Sequence, residues 1–391
     1  MRPLNQLESV FRACDRAYPF NFCVFARVEG LLSLTSLSAA LKSQQKRFTR
    51  LNDSILDVDD QVSQWVEATR EPRVEAMGGD SVRDHINQCL DQRFATPDEP
   101  LVRLRWLKGE QQHLLLTLNH VVADGVSGID FFQGVVAAAA RIQQGLPIES
   151  FASGTGPNAD TDPSSSLSSH TPLGGYQFGQ DTIFNRRTVV MPVSFDSETT
   201  ARLIGVVRRY GVSITGLIAA CHAMAVIDVI GEPSPISLSF PINLRGRTDE
   251  VDAEHFGLAV GNVKLLYRMG LADDIWALAR RISGDLKRKA IASSARSTRF
   301  NPQAVLAERS TAAVSNVGQV EWTSPPPGID VHDLGFATGC SFFGDHILTV
   351  TTSRGCLQLT YCVCPAAIGA ERANPIITQT IDALKAIAVS Y

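Results

Sequence analysis

The stretch that decides the reading is His113-Leu114-Leu115-Leu116-Thr117-Leu118-Asn119-His120-Val121-Val122-Ala123-Asp124-Gly125. Leu114 to Leu118 is a short apolar run, the mark of a buried strand. It stops at Asn119 and His120, and Asp124 and Gly125 follow shortly after. A base working at neutral pH needs its imidazole held in one orientation and one tautomer. The strand end supplies support, Asp124 can lock the loop, and Gly125 lets the backbone turn without a Cβ clash. A helical pattern begins near Ser127, a residue type that caps helices. A purely structural histidine is the competing reading. In a chain with 8 histidines, however, an accidental His-x-x-x-Asp-Gly is expected only about 0.03 times. The placement between a strand and a helix strengthens the functional reading of His120.

Working outward, Leu101 to Leu107 alternates charged and apolar residues and reads as a strand. Lys108-Gly109-Glu110 is a turn, so the two strands form a hairpin that ends at His120. Residues 127 to 144 read as a helix with Ile129, Phe132, Val135, Val136 and Ala139 inward. Residues 4 to 18 have helical spacing and stop at Pro19. Phe20 to Val28 reads as a strand. Ser33 or Ser36 caps the next helix, whose inner stripe is Leu34, Leu37, Ala40 and Leu41. Arg47 to Leu56 is ambiguous, with a strand as one option, and residues 80 to 94 read as helix.

Residues 150 to 175 are dominated by Ser, Gly, Thr, Pro and Asn. Such composition cannot build a core, so the segment reads as a flexible linker, with a lid over the site as the alternative. His170 inside it is expected to do nothing. A chain of 391 residues exceeds one typical core, which makes two domains the expectation. They are placed at 1–149, carrying the motif, and 186–391, joined by a linker over 150–185. In the second, strands are expected at 186–193, 236–243, 263–267, 311–317, 333–342, 346–352 and 356–363. Helices are expected at 197–210, 213–229, 272–290 and 369–389. The one at 213–229 is apolar nearly all round and should be buried.

Hydrophobic residues make up 44% and charged residues 19% of the chain, with a formal net charge of -4. That describes a soluble globular protein without the basic field that nucleic-acid binding requires. The 8 cysteines form no disulfide framework, and none sits with His at zinc-finger spacing, so no metal is expected. Cys362 and Cys364 lie in an apolar run and read as core. A reducing cytoplasm fits this usage. No apolar leader and no membrane-length apolar stretch is present, so neither export nor membrane spanning is expected. A cluster of Lys and Arg at 280–299 reads as a solvated helix face, with an acidic carrier protein or a CoA phosphate as the alternative partner.

These features together resemble the chloramphenicol-acetyltransferase-like superfamily, which includes condensation domains of peptide synthetases, wax ester synthases and phthiocerol dimycocerosyl transferases. The family motif His-His-x-x-x-Asp-Gly stands here as Asn119-His120-Val121-Val122-Ala123-Asp124-Gly125. The second His, His120, is the catalytic one in the family, and Asn119 replaces the first. The extension Gly125 to Asp130 looks most like the ester-forming members. Pro241-Ile242-Asn243-Leu244-Arg245 is similar to a family segment whose Arg pairs with the motif Asp, which implies an Asp124–Arg245 bridge across the two halves. Phe256-Gly257 with Gly261-Asn262, and Val314-Ser315-Asn316-Val317-Gly318, are similar to further family segments. The plant branch's Asp-Phe-Gly-Trp-Gly motif is absent.

The resemblance implies an α/β fold of two chloramphenicol-acetyltransferase-like subdomains. Each is a mixed β-sheet with helices, and an active-site tunnel lies at their interface. It implies an acyltransferase that takes a thioester, acyl-CoA or an acyl carrier protein, as substrate and needs no cofactor. His120 would deprotonate an alcohol acceptor, with an amine as the alternative. Asp124 would orient the loop through Arg245. Gly125, Ser315 and Asn316 are candidate oxyanion donors. No Gly-x-Ser-x-Gly elbow is present to suggest an acyl-enzyme. A cytoplasmic monomer is expected. The different-class alternative is a non-catalytic relative that binds a carrier protein or a small ligand.

Overall fold

The computed structural model describes residues 2–58, 63–79, 81–94, 97–148, 187–247, 251–252, 255–294, 310–322, 326–339 and 344–390. The expected linker and His170 lie outside the described residues. The chain forms two compact units, each assembled from three segments. The first takes Met1–Pro163, Asn243–Ala259 and Gln319–Gly339; the second takes Ser164–Ile242, Val260–Gly318 and Cys340–Tyr391. Residues 243–259 and 319–339 thus belong with the N-terminal residues rather than with the chain that flanks them.

In chain order the elements are β1 (Arg2–Pro3), α1 (Gln6–Ala17), β2 (Asn21–Gly30), α2 (Leu34–Arg47), β3 (Asp53–Asp57), β4 (Ser63–Glu67), β5 (Arg73–Gly78), α3 (Val82–Asp91), β6 (Val102–Lys108), β7 (Gln112–Asn119) and α4 (Gly125–Gln143). There follow β8 (Val189–Phe195), α5 (Ser197–Tyr210), α6 (Ile214–Ile230), β9 (Ser234–Asn243), β10 (Val260–Met269), α7 (Ile275–Ser294), β11 (Ser310–Val320), β12 (Ile329–Thr338), β13 (Gly344–Ser353), β14 (Cys356–Val363), α8 (Pro365–Ile368) and α9 (Ala370–Ser390).

The first unit is built on a five-stranded sheet of order β12-β2-β7-β6-β5, with a small sheet β1-β4-β3 beside it. The β6–β7 hairpin is antiparallel, with Val102 opposite Leu118 and Lys108 opposite Gln112. β2 lies on the other side of β7 and sets Asn21 opposite Asn119. The hairpin expected from the alternating and apolar runs is therefore present, and its inner strand is covered on both edges. Leu114, Leu115, Leu116 and Leu118 are all fully buried, which requires cover on both faces of the strand, and α3 and α4 both pack against it.

Local signals account for the helix ends. Asn5 caps α1 in a reciprocal box with Glu8. Ser33 and Ser36, which the sequence offered as alternatives, act together: Ser33 is the N-cap of α2 and Ser36 is its reciprocal partner. α4 departs from expectation. It begins at Gly125, and its cap is Asp124, not Ser127. The Asp124 carboxylate accepts from the Ser127 N–H at 3.0 Å, which leaves the Ser127 hydroxyl for other partners. The ambiguous stretch after α2 resolves into a 3-10 turn, Thr49–Asn52, followed by β3.

The second unit holds a six-stranded sheet of order β10-β9-β11-β13-β14-β8. α6 is buried on nearly every side, as its composition requires. It approaches α7 so closely at Gly216 that an added Cβ would lie 2.1 Å from Ser283 Oγ and 2.9 Å from the Ala279 carbonyl. The last expected helix, 369–389, is α9 (Ala370–Ser390); Gly369, with φ of 80°, separates it from the short α8 that the sequence did not suggest. Cys362 and Cys364 are fully buried. Among the described residues no single helix is long and apolar enough to cross a membrane.

Candidate active site

His120 is the first residue beyond β7. Its backbone N–H donates to the Phe20 carbonyl at 2.8 Å, so the turn stays attached to the start of β2. Three aromatic rings enclose the imidazole. Phe20 stacks on it with centroids 4.8 Å apart and an interplanar angle of 18°. Phe11 from α1 meets it edge-on at 5.0 Å, and Phe22 lies tilted at 5.0 Å. Among the described residues Nδ1 is sealed from solvent without a hydrogen-bond partner, while the residue as a whole keeps some accessible surface. Burial lowers the imidazole pKa; the Asp124 charge and the backbone carbonyls of His120 and Ala123 act the other way. The net direction is down, so the ring is neutral at pH 7 and able to accept a proton.

Asn119, the residue before it, is 1% exposed. Its Nδ2 donates to Asp15 Oδ1 at 2.9 Å and to Asn21 Oδ1 at 3.3 Å. Its Oδ1 accepts from the Val121 N–H at 3.1 Å, closing the turn over His120.

Asp124 and Arg245 are brought together within the first unit. The guanidinium forks onto the carboxylate, Nη1 to Oδ2 at 2.9 Å and Nη2 to Oδ1 at 3.0 Å. The two side chains are 6% and 5% exposed. The carboxylate also accepts from the Ala259 N–H at 2.8 Å and, through its cap, from Ser127. Arg245 donates further to the His255 carbonyl, the Gly257 carbonyl and Ser127 Oγ. Ser127 Oγ in turn accepts from the Gly257 N–H at 3.0 Å. One buried ion pair therefore welds the start of α4 to residues 243–259, with nearly every polar atom partnered, the condition under which a buried pair is tolerated. Phe256 completes the weld by stacking on Phe48 at 4.3 Å, with Phe131 at 6.2 Å.

Gly125 is the first residue of α4 and its φ is outside the left-handed region. Its N–H precedes the helical hydrogen-bond ladder. Ser315 and Asn316 lie on β11 in the second unit. Asn316 Nδ2 donates to Thr215 Oγ1 at 2.9 Å, and its Oδ1 accepts from the Gly318 N–H at 2.8 Å. Ser127 and the Gly257 backbone enter the site without a strong sequence signal. Ser127 was legible only as a cap, and residue 257 only as half of a weak segment match.

Three comparisons bear on this arrangement. Residues 185–361 match the family model described as the phthiocerol/phthiodiolone dimycocerosyl transferase C-terminus. A segment of 128 residues is 27% identical to Bacitracin synthase 2 of Bacillus licheniformis; it spans 32% of this chain and 5% of that protein. Among solved structures, polyketide synthase associated protein 5 from Mycobacterium tuberculosis superposes with a TM-score of 0.73, covering 100% of this chain and 98% of its own at 16% identity. The first condensation domain of the CDA synthetase gives 0.72, covering 99% and 96% at 15% identity. The epimerization domain from the third module of tyrocidine synthetase B gives 0.69, covering 99% and 96% at 15% identity. The chain therefore has the chloramphenicol-acetyltransferase-like fold of condensation domains and polyketide-synthase-associated proteins, and its residues 185–361 match the C-terminal part of the dimycocerosyl transferase family.

Proposed function

We propose that the protein is an acyltransferase that moves an acyl group from a thioester to an alcohol, forming an ester. The observation that carries this reading is a neutral, aromatically enclosed His120 at the start of a turn whose acid is locked by Arg245. With a proton on Nδ1, Nε2 has a free lone pair. It takes the hydroxyl proton as the acceptor oxygen attacks the thioester carbonyl. The imidazolium then returns the proton to the departing thiolate, and no acyl-enzyme is formed. The tetrahedral oxyanion needs donors. The Gly125 N–H is one, and Ser315 and Asn316 are to be tested as others. Asp124 holds the turn and tempers the imidazole through its charge; it does not relay a proton. The donor is acyl-CoA or an acyl carrier protein.

The name of the matching family, a transferase of dimycocerosyl groups to phthiocerol and phthiodiolone, favours an alcohol acceptor. The peptide-synthase segment and the condensation-domain neighbour favour the second reading, an amine acceptor and an amide product. His120 serves either nucleophile. Because an epimerization domain shares the fold, fold alone does not decide the chemistry.

The test is thiol release from a panel of acyl-CoAs and acyl-loaded carrier proteins with paired alcohol and amine acceptors, wild type beside His120→Ala. The expected result is release that requires both an acceptor and His120, with an ester as product. An amide would select the second reading. Turnover by folded His120→Ala at the wild-type rate would overturn both.

A further inference from the structure

We propose that Asp15, which no motif marks, is the positioning residue for the His120 imidazole. The inference rests on His120 being the base. Asp15 sits near the end of α1 and is 1% exposed. A single atom, Oδ1, accepts from the Phe20 N–H at 2.9 Å and from Asn119 Nδ2 at 2.9 Å. These two donors belong to the two chain segments that bracket the imidazole. Phe20 supplies the ring stacked on it and the carbonyl that holds the His120 N–H. Asn119 precedes it and closes its turn onto Val121. One oxygen thus fixes the wall and the turn together.

The carboxylate is itself immobilised. Its other oxygen pairs with Arg12, and Arg12 forks onto Asp57 at 3.1 and 2.6 Å. Arg93 donates to the Asp15 backbone carbonyl. A supporting group held this tightly transmits position to the group that reacts. The arrangement also accounts for Asn at 119. Its amide donates to Asp15 while its carbonyl accepts from Val121, and both demands are met by one neutral side chain. A carboxylate at 119 would face Asp15 with like charge.

The experiment compares wild type, Asp15→Asn, Asn119→Ala, Asn119→Asp and the double variant Asp15→Asn/Asn119→Asp. Asp15→Asn should lower kcat about 10- to 100-fold with KM nearly unchanged, the size of effect expected from misplacing a reacting group. Asn119→Ala removes the bond to Asp15 together with those to Asn21 and Val121 and leaves the Phe20 arm in place; it should also lower kcat and keeps the test open should Asp15→Asn fail to fold. The double variant turns an amide NH2 toward the carboxylate, restoring the contact at 119 while giving up the acceptor for the Phe20 N–H, so it should exceed Asn119→Asp in kcat by several-fold and stay below wild type. A second readout needs no substrate: the His120 imidazole resonance and its titration by NMR. It should broaden or shift in Asp15→Asn and Asn119→Asp and move back in the double variant. Wild-type kcat and an unchanged His120 resonance in folded Asp15→Asn would overturn the proposal, as would a double variant no better than Asn119→Asp. If the wild type turns over no thioester, the proposed function fails, while the NMR arm still decides whether Asp15 positions His120.

Discussion

At the residue scale, the central fact is that burial and charge pull His120 in opposite directions and burial prevails. An ordinary imidazole titrates near 6.5, so the acid limb of kcat/KM should have its midpoint below about 6.5. Activity should stay flat from there through neutrality, and a pH–rate profile on the free enzyme checks this. Moving the limb to the ordinary imidazole value or above would mean that the ring is solvated during turnover. The Asp124–Arg245 pair makes a different prediction. Arg245→Ala leaves a buried carboxylate uncompensated, at a cost of about 3–5 kcal/mol in stability, measurable by chemical denaturation. Arg245→Lys keeps the charge but cannot supply the fork or the bonds to the His255 and Gly257 carbonyls. It should recover only part of that loss. Both residues were legible as a pair because a family segment matched. Ser127 was not, because a hydroxyl read along the chain is a cap, and only the arrival of residues 245 and 257 gives it a different task.

At the element scale, α4 shows how much a helix start can carry. Asp124 caps it, pairs with Arg245 and anchors residue 259 at once. One turn on, Gly128 lets the helix approach β2 so closely that an added Cβ would meet the Phe22 ring at 2.3 Å. Phe22 touches His120. Gly128→Ala should therefore cost about 1–3 kcal/mol from overpacking and also lower kcat, because the displaced ring presses on the imidazole. Thermal denaturation beside turnover checks both; loss of stability with unchanged kcat would show that Phe22 yields away from the site. Strands of the main sheet with strong apolar or alternating patterns were readable. β4 and β5 were not. Each is only five or six residues long and mixes charge with apolar residues, so their strand state comes from the partner they pair with rather than from their own pattern.

At the scale of the whole molecule, the second unit carries a polar defect in its core. His222 and His346 are 0% and 1% exposed, their rings 5.0 Å apart, with Tyr361 beside His222 at 5.8 Å. Among the described residues neither ring nitrogen of His222 has a hydrogen-bond partner, while the Thr311 backbone acts on the His346 ring. Burial pushes His346 down to about 4, and burial with the neighbouring imidazole pushes His222 well down. Unfolded imidazoles take protons near 6.5. Between these values the unfolded chain binds protons that the folded chain refuses, so stability falls as pH drops from about 6.5 and levels off for His346 below about 4, by roughly 3 kcal/mol for that residue. His346→Leu should flatten this dependence, because the variant has no imidazole at 346 to take up a proton on unfolding. Denaturation curves across that window measure it; an unchanged slope in the variant would assign the acid sensitivity elsewhere.

The sequence by itself determined the mixed α/β class, the hairpin that ends at His120, most helices and strands, and the motif that pointed to a base. These rest on periodicity, turn residues and adjacency along the chain, which are local properties. Only the tertiary structure decided that residues 243–259 and 319–339 belong with the N-terminal unit. It also decided that Ser127 serves Arg245 and Gly257, and that a carboxylate near the end of α1 reaches Asn119 and Phe20 together. The physical reason is the same in each case. Hydrogen bonds and ion pairs between distant segments have fixed lengths and angles but leave no period in the sequence, so they become visible only when folding brings the segments within reach.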